Sequence, residues 1–186
     1  MALATGTQIL LISGSTRHGS TNTAALRTAE RIAPDAVTTV RYDGLDKLPA
    51  FNPDDDHDPL HPAVADLRQR IAGADAVLLC TPEYAGALPG AFKNLLDWTV
   101  GGSQMYRKPT AWINVAAPGR GLGAHDSLAT VLGYLDAAII EPACRSIPVA
   151  RETVGDDGLI TDSATREQIA GVLSAIADHT RRQRVP

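Results

Sequence analysis

Residues 8–24 read Gln8-Ile9-Leu10-Leu11-Ile12-Ser13-Gly14-Ser15-Thr16-Arg17-His18-Gly19-Ser20-Thr21-Asn22-Thr23-Ala24. An apolar run that would be buried on both faces passes into a loop of hydroxyls, one amide and one arginine. The run from Ile9 to Ser13 predicts a central β-strand, because edge or one-faced strands alternate with polar residues. The loop is suited to capturing an anion. Ser13, Ser15, Thr16, Ser20, Thr21 and Thr23 supply hydroxyls, Asn22 an amide and Arg17 a permanent charge. A helix starting near Thr23 adds free backbone N–H groups at its first turn, so a phosphate is the expected guest.

The rest of the chain repeats the same strand, loop and helix pattern. A helix at about Thr23–Ala33 ends at Pro34. Val37–Tyr42 is β-branched and half-alternating, as suits an edge strand. Residues 43–62 contain several prolines and the run Asp54-Asp55-Asp56-His57-Asp58. With no glycine to turn it around a cation, that run is expected to be a solvated loop.

A second helix is expected at about His61–Ala72, closed by Gly73. A fully apolar third strand follows at Ala76–Cys80. Pro89 opens a third helix whose buried stripe is Leu88, Phe92, Leu95 and Leu96, with Lys93, Asn94 and Asp97 on its outer side. Strand four is Thr110–Val115, helix four starts near Ala124, a fifth strand is expected within Ala143–Val149, and Asp156-Asp157-Gly158 makes a turn. The last helix, about Ser163–Arg181, buries Ile169, Val172, Leu173, Ile176 and Ala177.

Strict alternation of five strands and five helices predicts an α/β fold, a doubly wound five-stranded parallel sheet of flavodoxin-like order 2-1-3-4-5 with helices on both faces. Ligands of such sheets sit beyond the carboxyl ends of the strands. That gathers three loops, 13–23, 81–88 and 116–123.

Composition narrows the function. A chain of 186 residues suits one domain spanning 1–186, and a formal charge of −4 leaves no broad basic surface for nucleic acid. Only the tail Arg181-Arg182-Gln183-Arg184 is locally basic, as expected of a solvated, frayed end. Cys80 and Cys144 lie far apart in apolar runs and read as small core residues of a reduced, cytoplasmic protein; neither they nor the acidic run predicts a metal site. No apolar stretch approaches membrane-spanning length, so no membrane partner is expected.

Two nucleotide motifs fail in the first loop. Gly14 and Gly19 are spaced as in a P-loop, but Ser20-Thr21 stands where Lys-Ser/Thr is required. A dinucleotide fingerprint needs glycine at position 16, where the chain has Thr16, and Asp43 does not compensate. A phosphate monoester remains the better guest. The alternative is that one of these hydroxyl residues merely caps the first helix.

The sequences Ser15-Thr16-Arg17-His18-Gly19-Ser20-Thr21-Asn22, Thr81-Pro82-Glu83-Tyr84 and Pro89-Gly90-Ala91-Phe92-Lys93-Asn94-Leu95-Leu96-Asp97-Trp98 together resemble the NADPH-dependent FMN reductase family, flavodoxin-like proteins that include quinone, chromate and azo-compound reductases. The resemblance extends to Asp157-Gly158-Leu159-Ile160-Thr161-Asp162 and the last helix. It implies that Ser15, Arg17, Ser20, Asn22 and Thr23 hold the phosphate of FMN. Pro82, Glu83, Tyr84 and Gly86 would line the isoalloxazine ring, and the loop 117–121, through Ala117, Gly119 and Gly121, would close its other edge.

The same resemblance implies an FMN-dependent NAD(P)H oxidoreductase that passes hydride from NADPH or NADH through FMN to a small acceptor such as a flavin or quinone. It implies a homodimer or homotetramer. The flavin carries the chemistry, so no catalytic side chain is assigned, His18 and His125 included. A flavodoxin-type electron carrier without NAD(P)H turnover is the alternative. Two departures stand out: Ala85 replaces the asparagine that commonly follows Pro-Glu-Tyr, and Arg120 sits in a loop where the family more often has small residues. Arg120 suits an anionic substrate, the 2′-phosphate of NADPH, or plain surface exposure.

Overall fold

The computed structural model describes residues 6–184. Its strands are β1 (Thr7–Ser13), β2 (Val37–Tyr42), β3 (Ala76–Cys80), β4 (Pro109–Asn114), β5 (Ala138–Ile139) and β6 (Arg145–Ser146), and its helices are α1 (Thr21–Arg31), α2 (Pro62–Gly73), α3 (Gly90–Asp97), α4 (Leu122–Tyr134) and α5 (Ser163–Arg184). All pairings are parallel, in the order β2-β1-β3-β4-β5, with β6 also on β4. This is the expected order.

Alternation along β1 sorts the core onto the two faces of the sheet. Ile9 and Leu11 pack with Ala25, Leu26 and Ala29 of α1 and Ile169, Leu173 and Ile176 of α5. Leu10 and Ile12 face the opposite way, towards Val64, Leu67 and Ile71 of α2, Phe92 and Leu95 of α3 and Leu128 and Leu132 of α4. Burying each such side chain is worth about 1.5–3 kcal/mol, so a strand apolar on both faces is held from both sides.

The fifth strand is broken in two. Ala138–Ile139 pairs with the start of β4, a turn at Glu141–Ala143 interrupts, and Arg145–Ser146 resumes beside Ile113 and Asn114. Pro142 lies in the interruption, where it has no N–H to give a ladder. Pairing then runs on past β6, with Ile147 N–H donating to Asn114 O at 2.8 Å and Val149 N–H to Val115 O at 3.0 Å. The expected span 143–149 covers this second half and omits Ala138–Ile139. Other boundaries move less: α1 starts at Thr21, α4 at Leu122, and α5 stays helical through Arg184 where fraying is expected.

The acidic run departs from the solvated loop it resembles. Asp54, Asp55, His57 and Asp58 are exposed. Asp56, however, receives Arg68 Nη2 on both carboxylate oxygens at 2.7 and 2.9 Å, and its side chain is only 9% exposed. The Arg68 Nε donates to Trp98 O at 2.8 Å. Asn94, expected on an outer helix face, reaches the same loop: its Nδ2 donates to Pro49 O at 2.8 Å and its Oδ1 accepts Phe51 N–H at 2.7 Å. Trp98 Nε1 also donates to Pro49 O, and Phe51 packs edge-on against the Trp98 ring. Residues 49–56 are therefore strapped to α2 and α3. Cys80 is fully buried and Cys144 partly so; both are free thiols, and burial pushes the Cys144 thiol up to about 11.

Removing Asp56 leaves the Arg68 guanidinium buried without its counter-charge, which typically costs about 3–5 kcal/mol. Asp56→Ala is expected to lower the unfolding free energy by an amount in that range, measured by urea titration. A change below about 1 kcal/mol, the worth of an exposed pair, would show that the strap contributes little.

Candidate active site

Three loops and one strand extension meet beyond the carboxyl edge of the sheet around a cleft of about 630 Å³. That volume lies within the range of about 300–1,000 Å³ usual for small-molecule sites. Ser15, Arg17, Ser20, Thr21 and Asn22 form one end, Thr81 to Tyr84 one wall, and Ala116, Ala117, Arg120 and Gly121 the other; Val149 and Arg151 close the far rim.

The first loop is built on α1. Ser20 is its N-cap, the hydroxyl accepting Asn22 N–H at 3.2 Å, so capping does account for one hydroxyl. Thr23 is also internal: it shares a 2.9 Å hydrogen bond with Ser13 and lies outside the cleft. Ser15 Oγ accepts Arg17 N–H at 3.3 Å, and Arg17 Nη2 donates to Gly19 O. Among the described residues, the backbone N–H groups of Ser20, Thr21 and Thr23 donate to no protein acceptor. These orphan donors, the positive end of an 11-residue helix and the exposed Arg17 make an anion cradle. Asn22, 6% exposed, is held by the Cys80 thiol, which donates to its Oδ1 at 3.4 Å.

In the second loop Glu83 turns away from an acid–base role. Its Oε2 accepts Ala124 N–H at 3.1 Å, placing the carboxylate on the first turn of α4 and joining the second loop to the third. Gly123 allows that approach, since a Cβ there would lie 2.2 Å from Gly86 O. Tyr84 and Ala87 exchange backbone hydrogen bonds at 3.0 Å around Ala85 (φ 51°) and Gly86 (φ 74°). Two left-handed residues in a two-residue turn define type I′, whose preferred sequence is Asn-Gly. The asparagine usual after Pro-Glu-Tyr therefore has a backbone reason, and Ala85 keeps the turn at a conformational cost. Gly86 itself does not line the cleft.

The third loop is a type II turn, Ala117-Pro118-Gly119-Arg120, with Arg120 N–H donating to Ala117 O at 2.9 Å and Gly119 at φ 75°. Gly119 forms the turn and lies outside the cleft, whereas Ala117 and Gly121 line it. Asn114, at the end of β4, fastens both ends: its Oδ1 accepts Ala116 N–H at 3.0 Å and its Nδ2 donates to Arg120 O at 2.9 Å. His125 adds a second tie, Nδ1–H to Gly121 O at 2.7 Å. Asn114 is missing from the sequence-based set; a lone amide closing an apolar strand was the available signal. Thr21, one of the expected hydroxyls, lines the cleft, and Thr81, Val115, Ala116, Val149 and Arg151 line it without having been singled out for it. His18 lies in a separate depression with Thr23. Among the described residues there is no cluster able to hold a metal.

Fold and cleft together define a flavodoxin-like protein that presents an anion cradle at the switch in strand order, with two further loops walling the cleft beside it. The chain belongs to the NADPH-dependent FMN reductase family, whose model matches residues 7–152. An NAD(P)H-dependent FMN reductase of Pseudomonas aeruginosa is 32% identical over 95% of this chain and 97% of its own. A 2-hydroxy-1,4-benzoquinone reductase of a Burkholderia species is 31% identical over 96% and 98%. Among solved structures, FerB, a flavoenzyme NAD(P)H:(acceptor) oxidoreductase of Paracoccus denitrificans, superposes with a TM-score of 0.76 at 27% identity over 95% of this chain and 98% of that one.

The left-handed conformation costs a Cβ-bearing residue roughly 1–2 kcal/mol, which asparagine and glycine largely avoid. Ala85→Asn and Ala85→Gly are each expected to raise the melting temperature by about 2–4 °C. A fall in both variants would refute the type I′ account.

Proposed function

We propose that the chain is an FMN-dependent NAD(P)H:acceptor oxidoreductase with a quinone as acceptor, and that the cleft is its flavin site. The observation that carries this is the anion cradle of α1 opening into the same cleft as the Pro82–Tyr84 and Ala116–Gly121 walls. FMN, when bound, supplies hydride acceptance and donation, the chemistry no side chain here could provide. The chain's own residues bind and orient. Arg17 and the free N–H groups of Ser20 and Thr21 take the phosphate, with Ser15 and Asn22 beside them. Pro82, Glu83 and Tyr84 present one wall to the ring, and Ala117 and Gly121 the other. The half-exposed Tyr84 leaves an open side through which nucleotide and acceptor can approach in turn.

No described helix is long and apolar enough to cross a membrane. The buried, free thiol of Cys80 favours a reducing, cytoplasmic setting. The reading also includes self-association through the depression between α3, the segment that follows it and the end of α4, where Val100, Tyr106 and Tyr134 are 57–91% exposed. Large apolar side chains exposed together mark an interaction surface. Tyr134→Asp is expected to shift the protein towards monomer in light scattering, and a monomeric wild type would remove this part of the reading.

The flavin assignment is tested by titrating the protein with FMN and with riboflavin, which lacks the phosphate. Arg17→Ala removes one charge-assisted contact of about 1.5–3 kcal/mol, so FMN affinity should fall roughly 10- to 100-fold with riboflavin affinity unchanged. Equal losses for both ligands would refute the phosphate role, and no FMN binding by the wild type would refute the function.

A further inference from the structure

The far rim of the cleft holds more positive charge than one phosphate requires. Three arginines line the cavity, Arg17 from the first loop, Arg120 from the third and Arg151 from the segment that follows β6; Glu83 is the one carboxylate among the lining residues. Glu83 is turned onto the Ala124 N–H, so it does not neutralise the rim. The Arg120 and Arg151 guanidiniums are exposed and have no hydrogen-bonding or ion-pair partner among the described residues. Arg41, by contrast, pairs with Glu30 and Asp43, Arg68 with Asp56 and Arg70 with Asp66. A formal −4 chain that gathers three arginines against one engaged carboxylate in a concave site focuses a positive potential there.

The backbone that presents the two arginines is fixed. Arg120 follows the type II turn tied at both ends by Asn114. Arg151 is delivered by residues 145–149, whose pairing with β4 continues to Val149 N–H on Val115 O. The first loop already carries Arg17 and orphan N–H groups for the flavin phosphate, which leaves the other two guanidiniums for a different anion.

We propose that Arg120 and Arg151 form a recognition pair for a negatively charged acceptor, an acidic quinone such as an ionised hydroxyquinone or a quinone sulfonate. This rests on the flavin-cleft reading above and adds the class of acceptor. The net reaction is NAD(P)H + H⁺ + quinone giving NAD(P)⁺ + hydroquinone, and the acceptor's anionic substituent stays unchanged throughout. The pair acts on binding and orientation, through bidentate, charge-assisted contacts from guanidinium to oxyanion.

The test compares 1,2-naphthoquinone-4-sulfonate with neutral 1,2-naphthoquinone, using the FMN-loaded protein and NADH, which has no 2′-phosphate. The readout is the ratio of their kcat/KM values. Loss of one charge-assisted contact predicts a fall of about tenfold or more in this ratio for Arg120→Ala and for Arg151→Ala, and a larger fall for the double variant. Screening should move the wild-type ratio the same way as salt rises. Calorimetric binding of naphthalene-1-sulfonate, which cannot be reduced, should weaken in step.

A ratio and a sulfonate affinity both unchanged in the double variant would overturn the proposal. A fall confined to NADPH relative to NADH would also overturn it, assigning the arginines to the 2′-phosphate of the nucleotide. Weakened FMN binding would overturn it in favour of a flavin role. If the wild type binds FMN and oxidises NADH, any of these failures belongs to the acceptor proposal alone; a wild type that does neither removes the flavin reading with it.

Discussion

The site depends on how closely β1 and β3 approach at their carboxyl ends. Gly14 N–H donates to Cys80 O at 2.9 Å, extending the parallel pairing one residue beyond the strands. A Cβ at position 14 would lie 2.3 Å from Thr81 Oγ1 and 2.9 Å from the Phe92 ring. No side chain fits there. This contact sets the anion cradle beside the second loop, and it settles a question that glycine spacing alone leaves open. Gly14 serves close packing between strands, not the phosphate loop of an NTPase, which the missing lysine already argues against.

From that contact outward, polar groups do what the apolar core does for the sheet. Glu83 links the second loop to α4, Asn114 holds both ends of the third loop, and His125 secures Gly121. Each tie satisfies a backbone group that a loop would otherwise leave to water, and each limits how far the cleft walls can move. A binding site made largely of backbone and hydroxyls needs such bracing, because its ligand contacts are only as precise as the loops that carry them. The strap of residues 49–56 on Arg68, Asn94 and Trp98 braces α2 and α3 in the same manner.

The sheet order and helix positions were legible because they rest on short-range patterns. Ile9–Ile12 and Ala76–Cys80 are apolar on both faces, and only a covered central strand accommodates that. The first-loop end of the cleft was legible because hydroxyls and an arginine cluster within one loop. The illegible parts need partners distant in sequence. Asp56 looks like any member of an acidic run until Arg68 is placed beside it. Thr23 reads like the other hydroxyls of its loop until the fold sets Ser13 beside it at 2.9 Å. The split in the fifth strand depends on which segments β4 accepts as neighbours, and a two-residue strand leaves no periodicity to read.

By itself the sequence determined the doubly wound parallel fold, the hydroxyl-rich loop after the first strand, and the family to which the chain belongs, since all three follow from residue patterns within a strand, a loop or a helix. The tertiary structure decided which hydroxyls remain free in that loop, what turn Ala85 occupies, and that Arg151 joins Arg120 in the lining of one cleft. The reason is physical. Donor satisfaction, a left-handed φ and the convergence of charges separated by 31 positions are properties of folded geometry, and no local sequence window contains them.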